Sequence, residues 1–414
     1  VPRRLARRCD GRERVRRWAR DNGDVARQGL VALGLNSTTS LIAGAVLGSI
    51  TGTFGRFPGL LVLVPAAIGL RGNIFGSFGN RVSTAIHTGT FRLSSRRDSV
   101  LGQNVLAAVV LTVSMSLALA VVAAVVSVAF GLAGAIHVAD LATISIAGGT
   151  LASLLVLVAA LGLATGAVRY GWDLDTVTAP LVSTLGDVLT LPALWLATYL
   201  VGVRYVSGAL GAALMAAAAV VLVLAWRSRL ELLRRIVRES TPVLVAAGTI
   251  SATAGVVLEA RLGAFAALPA LLVLVPAHLS SAGALGGILA GRLASKLALG
   301  LTQPASVPDR QARADMVLVL ALAVPVYAFN GLGASVTAGV LGQRGPAVVD
   351  MLAVSVLGGL VAVAFVLAVA YYGTLAAGRL GVDADSYGIP LVSSSVDLVG
   401  AFTLVAAMAV LGLT

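Results

Sequence analysis

Apolar stretches of bilayer-spanning length recur along nearly the whole chain, and they restrict the fold before any motif is considered. Roughly 20 apolar residues are needed to cross about 30 Å of hydrocarbon. Only helices or closed barrels can satisfy their backbone groups there. Eleven such stretches are readable, at about 30–53, 58–90, 100–130, 140–168, 178–201, 208–226, 240–262, 266–300, 313–341, 347–372 and 388–412. Two of them, 58–90 and 266–300, are long and interrupted by Gly, which suggests kinked or discontinuous helices. With 58% of residues apolar and 12% charged, the chain lacks the charge to cover a soluble surface.

The net charge of +12 does not indicate nucleic acid. Apart from Arg71, Arg81, Arg292 and Lys296 within the two Gly-rich stretches, the basic residues lie in the N-terminal stretch and short loops, and no aromatic–basic platform accompanies them. They sort instead onto one side of the predicted spans. Residues 1–27 hold ten Arg against Asp10, Glu13, Asp21 and Asp24. The loop with Arg92, Arg96 and Arg97, the linker RSRLELLRRIVRE (227–239) and the loop with Arg310 and Arg313 fall on the same side. The opposite loops carry about one Arg each: Arg56, Arg204, Arg261 and Arg344. The positive-inside rule then puts the N-terminus in the cytoplasm and the C-terminus outside, in the plasma membrane. Cys9 is the only cysteine, so there is no disulfide framework or thiolate metal site. No cleaved signal peptide is readable.

An internal repeat adds the next constraint. LLVLVPAAIG (60–69) returns as LLVLVPAHLS (271–280), 211 residues later. Arg81 then matches Arg292, and Ser40-x-x-Ala-Gly matches Ser251-x-x-Ala-Gly. At an offset of 210, Asp140 matches Asp350, Ser145-x-x-Gly-Gly matches Ser355-x-x-Gly-Gly, and Arg169-x-Gly-x-Asp-x-Asp matches Arg379-x-Gly-x-Asp-x-Asp. Pro180-Leu-Val-Ser matches Pro390-Leu-Val-Ser, with Asp187 opposite Asp397. Hydrophobic bias reproduces Leu and Val but not Asp and Arg at a constant offset. Each repeat holds five spans, and an odd count inverts the second copy unless another span intervenes. Segment 208–226 supplies it. The expected fold is therefore an all-α polytopic membrane protein of about eleven transmembrane helices, arranged as two parallel five-helix repeats joined by a linking helix. The expected divisions are a basic cytoplasmic tail (1–29), repeat 1 (30–205), linking helix and basic linker (206–239) and repeat 2 (240–414).

The matched aspartates Asp187 and Asp397 lead the candidate chemistry. Each falls about ten residues into its last span, so about 14 Å deep. A carboxylate there is costly unless it meets water, a cation or a partner. No Lys or Arg shares that stretch of either span, which favours a cation over an anion. Hydroxyls flank both acids: Ser183 and Thr184 in one copy, Ser393 and Ser394 in the other. Asn73, in the Gly-rich PAAIGLRGNIFGSFGNRVSTA (65–85), can offer a carbonyl oxygen. A hard divalent ion takes oxygen ligands, and no paired His or Cys suggests a soft metal. Pro180 and Pro390 read as helix starts. Asp173, Asp175, Asp383 and Asp385, in matched loops, can draw cations to a pathway mouth or simply be solvated. Asp140 and Asp350 begin matched spans, where a carboxylate suits a helix N-terminus in any case. Glu259 has no counterpart, because Gly48 stands opposite.

These motifs resemble the MgtE-type magnesium transporters, most closely their two-repeat relatives in solute carrier family 41. The second-span stretch 65–85 is similar to that family's Pro-Ala-hydrophobic-x-Gly-Leu-x-Gly-Asn run ending in Arg-hydrophobic-Ser-Thr-Ala. PLVSTLGDVLTLP (180–192) is similar to its Pro-x-x-Ser-x-x-Gly-Asp stretch. The resemblance spans about 30–414. It implies Mg²⁺ transport through a pore lined by the second and fifth spans of each repeat. Asp187 would be the ion-binding carboxylate, Asp397 its second copy, and Asn73 a nearby pore residue. Two-repeat members resemble a fused form of a single-repeat dimer, so a monomer suffices. Repeat 2 departs from the pattern at Val396 and Ala284, which implies that one half contributes less.

The expected function is transport of a divalent cation, most simply Mg²⁺, with membrane lipid and the ion as partners and Na⁺ as a candidate coupling ion. No enzyme chemistry and no nucleic acid are expected. The alternative is a transporter of another solute coupled to Na⁺ or H⁺. An intramembrane aspartyl protease would need Gly-x-Gly-Asp, and Thr184 stands at its first Gly.

Overall fold

The computed structural model describes residues 23–88, 96–132, 136–170, 174–201, 207–298, 305–380 and 389–413. Their regular structure is helical: α1 (Gly23–Ser49), α2 (Thr51–Arg56), α3 (Leu60–His87), α4 (Val100–Ala129), α5 (Val138–Tyr170), α6 (Leu174–Thr198), α7 (Ser207–Trp226), α8 (Glu231–Glu259), α9 (Leu262–Ala267), α10 (Ala270–Ala298), α11 (Arg310–Val340), α12 (Val348–Leu380) and α13 (Ile389–Val410). Among the described residues ten helices are long and apolar enough to cross a membrane. The remaining expected span is α6, a 25-residue helix whose described side chains, Leu185–Thr198, form an apolar stretch. The chain is a polytopic helical membrane protein.

The helices follow the repeat. α1 to α6 correspond in order to α8 to α13, even to the six-residue helices α2 and α9, which start 211 residues apart. α7 stands between the two sets. The Gly-broken segments are not discontinuous: α3 and α10 each run unbroken through a proline, Pro65 and Pro276. Tertiary packing and close helix contacts hold what the Gly count suggested would break. Nor is the basic linker a loop beyond Leu230, because Glu231 onward forms the first turns of α8. Pro390 lies in the first turn of α13, as a helix start should, but Pro180 lies well inside α6.

The two sets exchange their first helices. α1 packs chiefly on α10 and α11 of the other set, and α8 packs on α3 and α4 of the other set as well as on α13 of its own. Small residues make this possible. A Cβ on Gly44 of α1 would stand 2.8 Å from the Val273 carbonyl carbon on α10. A Cβ on Gly255 of α8 would stand 2.8 Å from that of Val62 on α3. Both distances are well inside van der Waals contact, so the helix backbones touch only because these positions are Gly.

The duplicated Ser-x-x-Gly-Gly motif has the same logic. Ser145 Oγ donates to Ser116 O at 2.7 Å, and Ser355 Oγ donates to Tyr327 O at 2.7 Å, pinning α5 to α4 and α12 to α11. The first Gly of each pair, Gly148 or Gly358, faces the backbone of α6 at Leu194 or of α13 at Thr403 and Leu404. These contacts seat the last helix of each set, which carries the aspartates.

Candidate functional site

Asp187 lies on α6 and is 7% exposed. Asp397 lies at the corresponding position of α13 and is half-buried. The two carboxylates are within electrostatic reach of one another. Each meets the serine of the duplicated Ser-x-x-Ala-Gly motif. Ser251 Oγ donates to Asp397 Oδ2 at 3.1 Å, and the Ser40 hydroxyl faces Asp187. Each aspartate also reaches across to the other set. Ser280 Oγ on α10 lies 3.5 Å from Asp187 Oδ2. Gly69, its counterpart on α3, is so close to Asp397 that an added Cβ would sit 3.5 Å from Oδ2.

Among the described residues no group of three or more His, Cys, Asp and Glu side chains comes together. The arrangement is therefore two carboxylates supplemented by neutral oxygens. That donor set suits a hard cation and is wrong for a soft metal. One cation stands nearby. Arg71 of α3 is 2% exposed and its Cβ lies against Gly186. Its guanidinium is turned away into the first set, where Nη1 donates to the Ala67 carbonyl and Nη2 lies beside Gly149 of α5.

The other sequence-derived candidates fall as follows. Asn73 is half-buried on α3, one turn beyond Gly69 and so on the same helix face. Ser394 is buried and Ser393 half-buried, three and four residues before Asp397 on α13. Asp140 and Asp350 stand in the first turns of α5 and α12, where backbone N–H groups favour a carboxylate without further function. Asp173, Asp383 and Asp385 lie outside the described residues, as do the side chains of Asp175, Ser183 and Thr184.

Four neutral side chains at the site were given no role from the sequence. The Ser40–Ser251 match was visible, but the serines carried no assigned role. Asn36 and Ser280, whose side chains meet beside Asp187, have Ala247 and Gly69 as counterparts. A search for duplicated polar residues passes over them for that reason.

The MgtE family profile, described as a divalent cation transporter, matches residues 64–197 and 275–407. The two matched segments start 211 residues apart, the offset of the internal repeat. Solute carrier family 41 member 2 of Gallus gallus is 28% identical over 257 residues, 60% of this chain and 44% of that relative. The Homo sapiens member 2 is 27% identical over 297 residues, 70% of this chain and 51% of the relative. Member 3 of Rattus norvegicus is 28% identical over 167 residues, 39% of this chain and 35% of the relative. The chain thus spans about half the length, or less, of these curated relatives. No solved structure matches it. Since the family profile matches more than half of the chain, once in each set of helices, the chain belongs to the MgtE family of divalent cation transporters.

Proposed function

We propose that the chain carries Mg²⁺ across the membrane along a pathway between its two pseudo-symmetric halves, with Asp187 and Asp397 binding the ion near the middle of the bilayer. One observation carries the reading: two aspartates from equivalent positions stand within electrostatic reach of each other, and the side chains that the described residues set against them are neutral hydroxyls. Two adjacent carboxylates in a membrane repel unless a cation or a proton sits with them. The family description and the relatives agree with a divalent ion.

In this reading α3, α6, α10 and α13 line the route, and Asn73, Ser183, Thr184, Ser393 and Ser394 add oxygen donors along it. Asp173, Asp175, Asp383 and Asp385 gather cations at the cytoplasmic mouth, and Asp140 and Asp350 do so outside. The chain divides at 1–29, 30–205, 206–239 and 240–414. One copy completes the pathway as a fused pseudo-dimer in the plasma membrane, N-terminus inside.

The test is Mg²⁺ flux into liposomes carrying the purified chain and an internal Mg²⁺ dye. D187N/D397N should fold, elute like the parent and abolish the flux. Flux equal to the parent's refutes the reading. The same vesicles, with and without an opposed Na⁺ or pH gradient, decide whether Na⁺ or H⁺ is coupled.

A further inference from the structure

The two aspartates are equivalent in sequence position but not in surroundings. Ser280 Oγ donates to Asn36 Oδ1 at 3.0 Å and lies 3.5 Å from Asp187 Oδ2, so α1, α10 and α6 converge on one cluster of oxygens. At the matching place beside Asp397 stand Gly69 and Ala247, which offer none. Asp187 therefore has Ser40, Ser280 and Asn36 about it, and Asp397 has Ser251. Among the described residues Asn36 Nδ2, which is buried, has no partner, and neither has the Ser40 hydroxyl a regular hydrogen bond.

The asymmetry extends one layer deeper. Behind Asn36 and Ser280, the next residues Ser37 and Ser281 place their hydroxyls 3.3 Å apart. Asn330 Nδ2 donates to Ser281 Oγ at 2.8 Å and to Ala277 O at 3.1 Å, while its Oδ1 is unpartnered. Ser37, Ser281 and Asn330 are fully buried. Their counterparts are Gly248, Leu70 and Leu119, which line an apolar pocket with Ala66 and Met115. The same fold is thus built twice in one chain, once with polar groups here and once without. Buried polar groups with free lone pairs cost stability relative to apolar ones. The half with Gly248, Leu70 and Leu119 packs without them, so packing alone does not require them.

We propose that Asn36 and Ser280 are cation-binding residues that hold the divalent ion on the Asp187 side, off the pseudo-symmetry axis, leaving Asp397 as the weaker carboxylate. The inference rests on the divalent-cation reading of the aspartate pair. Neutral amide and hydroxyl oxygens complete the shell of a hard ion, directly or through its waters, once a carboxylate supplies the charge. The Ser37–Ser281–Asn330 layer fixes α1 and α10 at the residues adjoining both groups.

The chain itself supplies the variants. N36A/S280G installs beside Asp187 the residues that already stand beside Asp397, so the fold tolerates them at one of its two sites. With the purified full chain in detergent, Mg²⁺ is titrated against melting temperature, and the half-saturation is compared with that of liposome flux. N36A/S280G should raise the half-saturation roughly tenfold in both, with the Mg²⁺-free melting temperature unchanged. S251A should move it far less. Adding G69S/A247N should recover the affinity and transfer the greater sensitivity from D187N to D397N. If N36A/S280G does not fold, S280A, which removes one hydroxyl, is read the same way. Wild-type titration by N36A/S280G or S280A, with the Mg²⁺ response still lost in D187N, overturns the proposal and leaves the aspartate reading standing. An Mg²⁺ response that survives in D187N/D397N removes both.

Discussion

The carboxylate of Glu259, in the last turn of α8, accepts a hydrogen bond from the backbone N–H of Gly59 at 2.9 Å. Its second oxygen accepts from Leu61 N at 3.1 Å. A residue of the second half thereby caps the helix that begins the first half's Pro-Ala-Gly stretch. The N-terminal N–H groups of a helix have no partner within it, and at Gly59, with φ of 91°, only Gly is free of backbone strain. E259A should destabilise the protein by about 1.5–3 kcal/mol, and E259Q, which keeps an acceptor, by clearly less. Melting temperature in detergent reads this. The Mg²⁺ half-saturation of the surviving folded protein should not move, and a shift there would assign Glu259 to the pathway instead of the cap.

Gly44 and Gly255 make the exchange of first helices possible, and their substitution tests it. Each added Cβ meets backbone of Val273 or Val62, which cannot rotate away. G44A and G255A should each cost about 1–3 kcal/mol by overpacking. Gly34, on the same helix as Gly44, has nothing within 4 Å of an added Cβ. G34A should be neutral or stabilising by up to about 1 kcal/mol through helix propensity. Equal losses at positions 34 and 44 would mean that α1 does not press on α10 as described.

How much of this was legible beforehand divides along physical lines. Span count, the linking helix and the two copies follow from apolar length and from Asp and Arg repeated at fixed offset, because both signals are local in sequence. The exchange of α1 and α8 is not, because Gly44 and Gly255 look like any small residues on an apolar helix. The Ser145-x-x-Gly-Gly motif was visible as a match, but its use, a hydroxyl to Ser116 O and two Gly for two close neighbours, depends on which helix lies alongside. The duplicated aspartates stood out because a carboxylate in a span is rare. Asn36 and Ser280 did not, since neutral polar residues are common in such helices and these two lack counterparts.

A second pair of positions shows the halves solving one task with different chemistry. Arg81 Nε donates to Asn104 Oδ1 at 2.8 Å, and Arg292 Nε donates to Asp315 Oδ1 at 2.8 Å. Asp315 is 2% exposed and is also held by Lys296 Nζ at 2.5 Å, where the first half has Ala85. The acid is thus shared by two cations that are themselves about a quarter exposed. D315A should cost roughly 1.5–3 kcal/mol, since it strips charged hydrogen bonds from both cations. D315N, which copies the arrangement at Asn104, should keep the Arg292 contact and lose less. In the K296A background, D315N should lose less still. If D315N and D315A melt alike in both backgrounds, charge pairing and not the Arg292 hydrogen bond holds α10 to α11.

Arg71 raises the same question beside the aspartates themselves, and the second half answers it. Arg71 Nη1 donates to the Ala67 carbonyl, and its Nη2 fills space beside Gly149 and Ser116. In the second half Arg71 is replaced by Ala282 and Ser116 by Tyr327, whose ring lies against Gly359 and whose hydroxyl is 3.5 Å from the His278 carbonyl. His278 is the counterpart of Ala67, so a guanidinium in one half and a phenol in the other occupy one place and reach one carbonyl. R71A should leave a cavity and cost roughly 2–4 kcal/mol. S116Y alone should crowd the standing Arg71 and cost about 1–3 kcal/mol. R71A/S116Y should recover stability, with a coupling between the two sites of about 1–3 kcal/mol. Strictly additive losses would show that the two side chains are not alternatives for one space. If the double variant recovers stability and retains Mg²⁺ flux, Arg71 is a packing group whose charge the ion site does not need. If it recovers stability and loses flux, the buried guanidinium tunes the field at Asp187, one residue from the Gly186 that its Cβ touches.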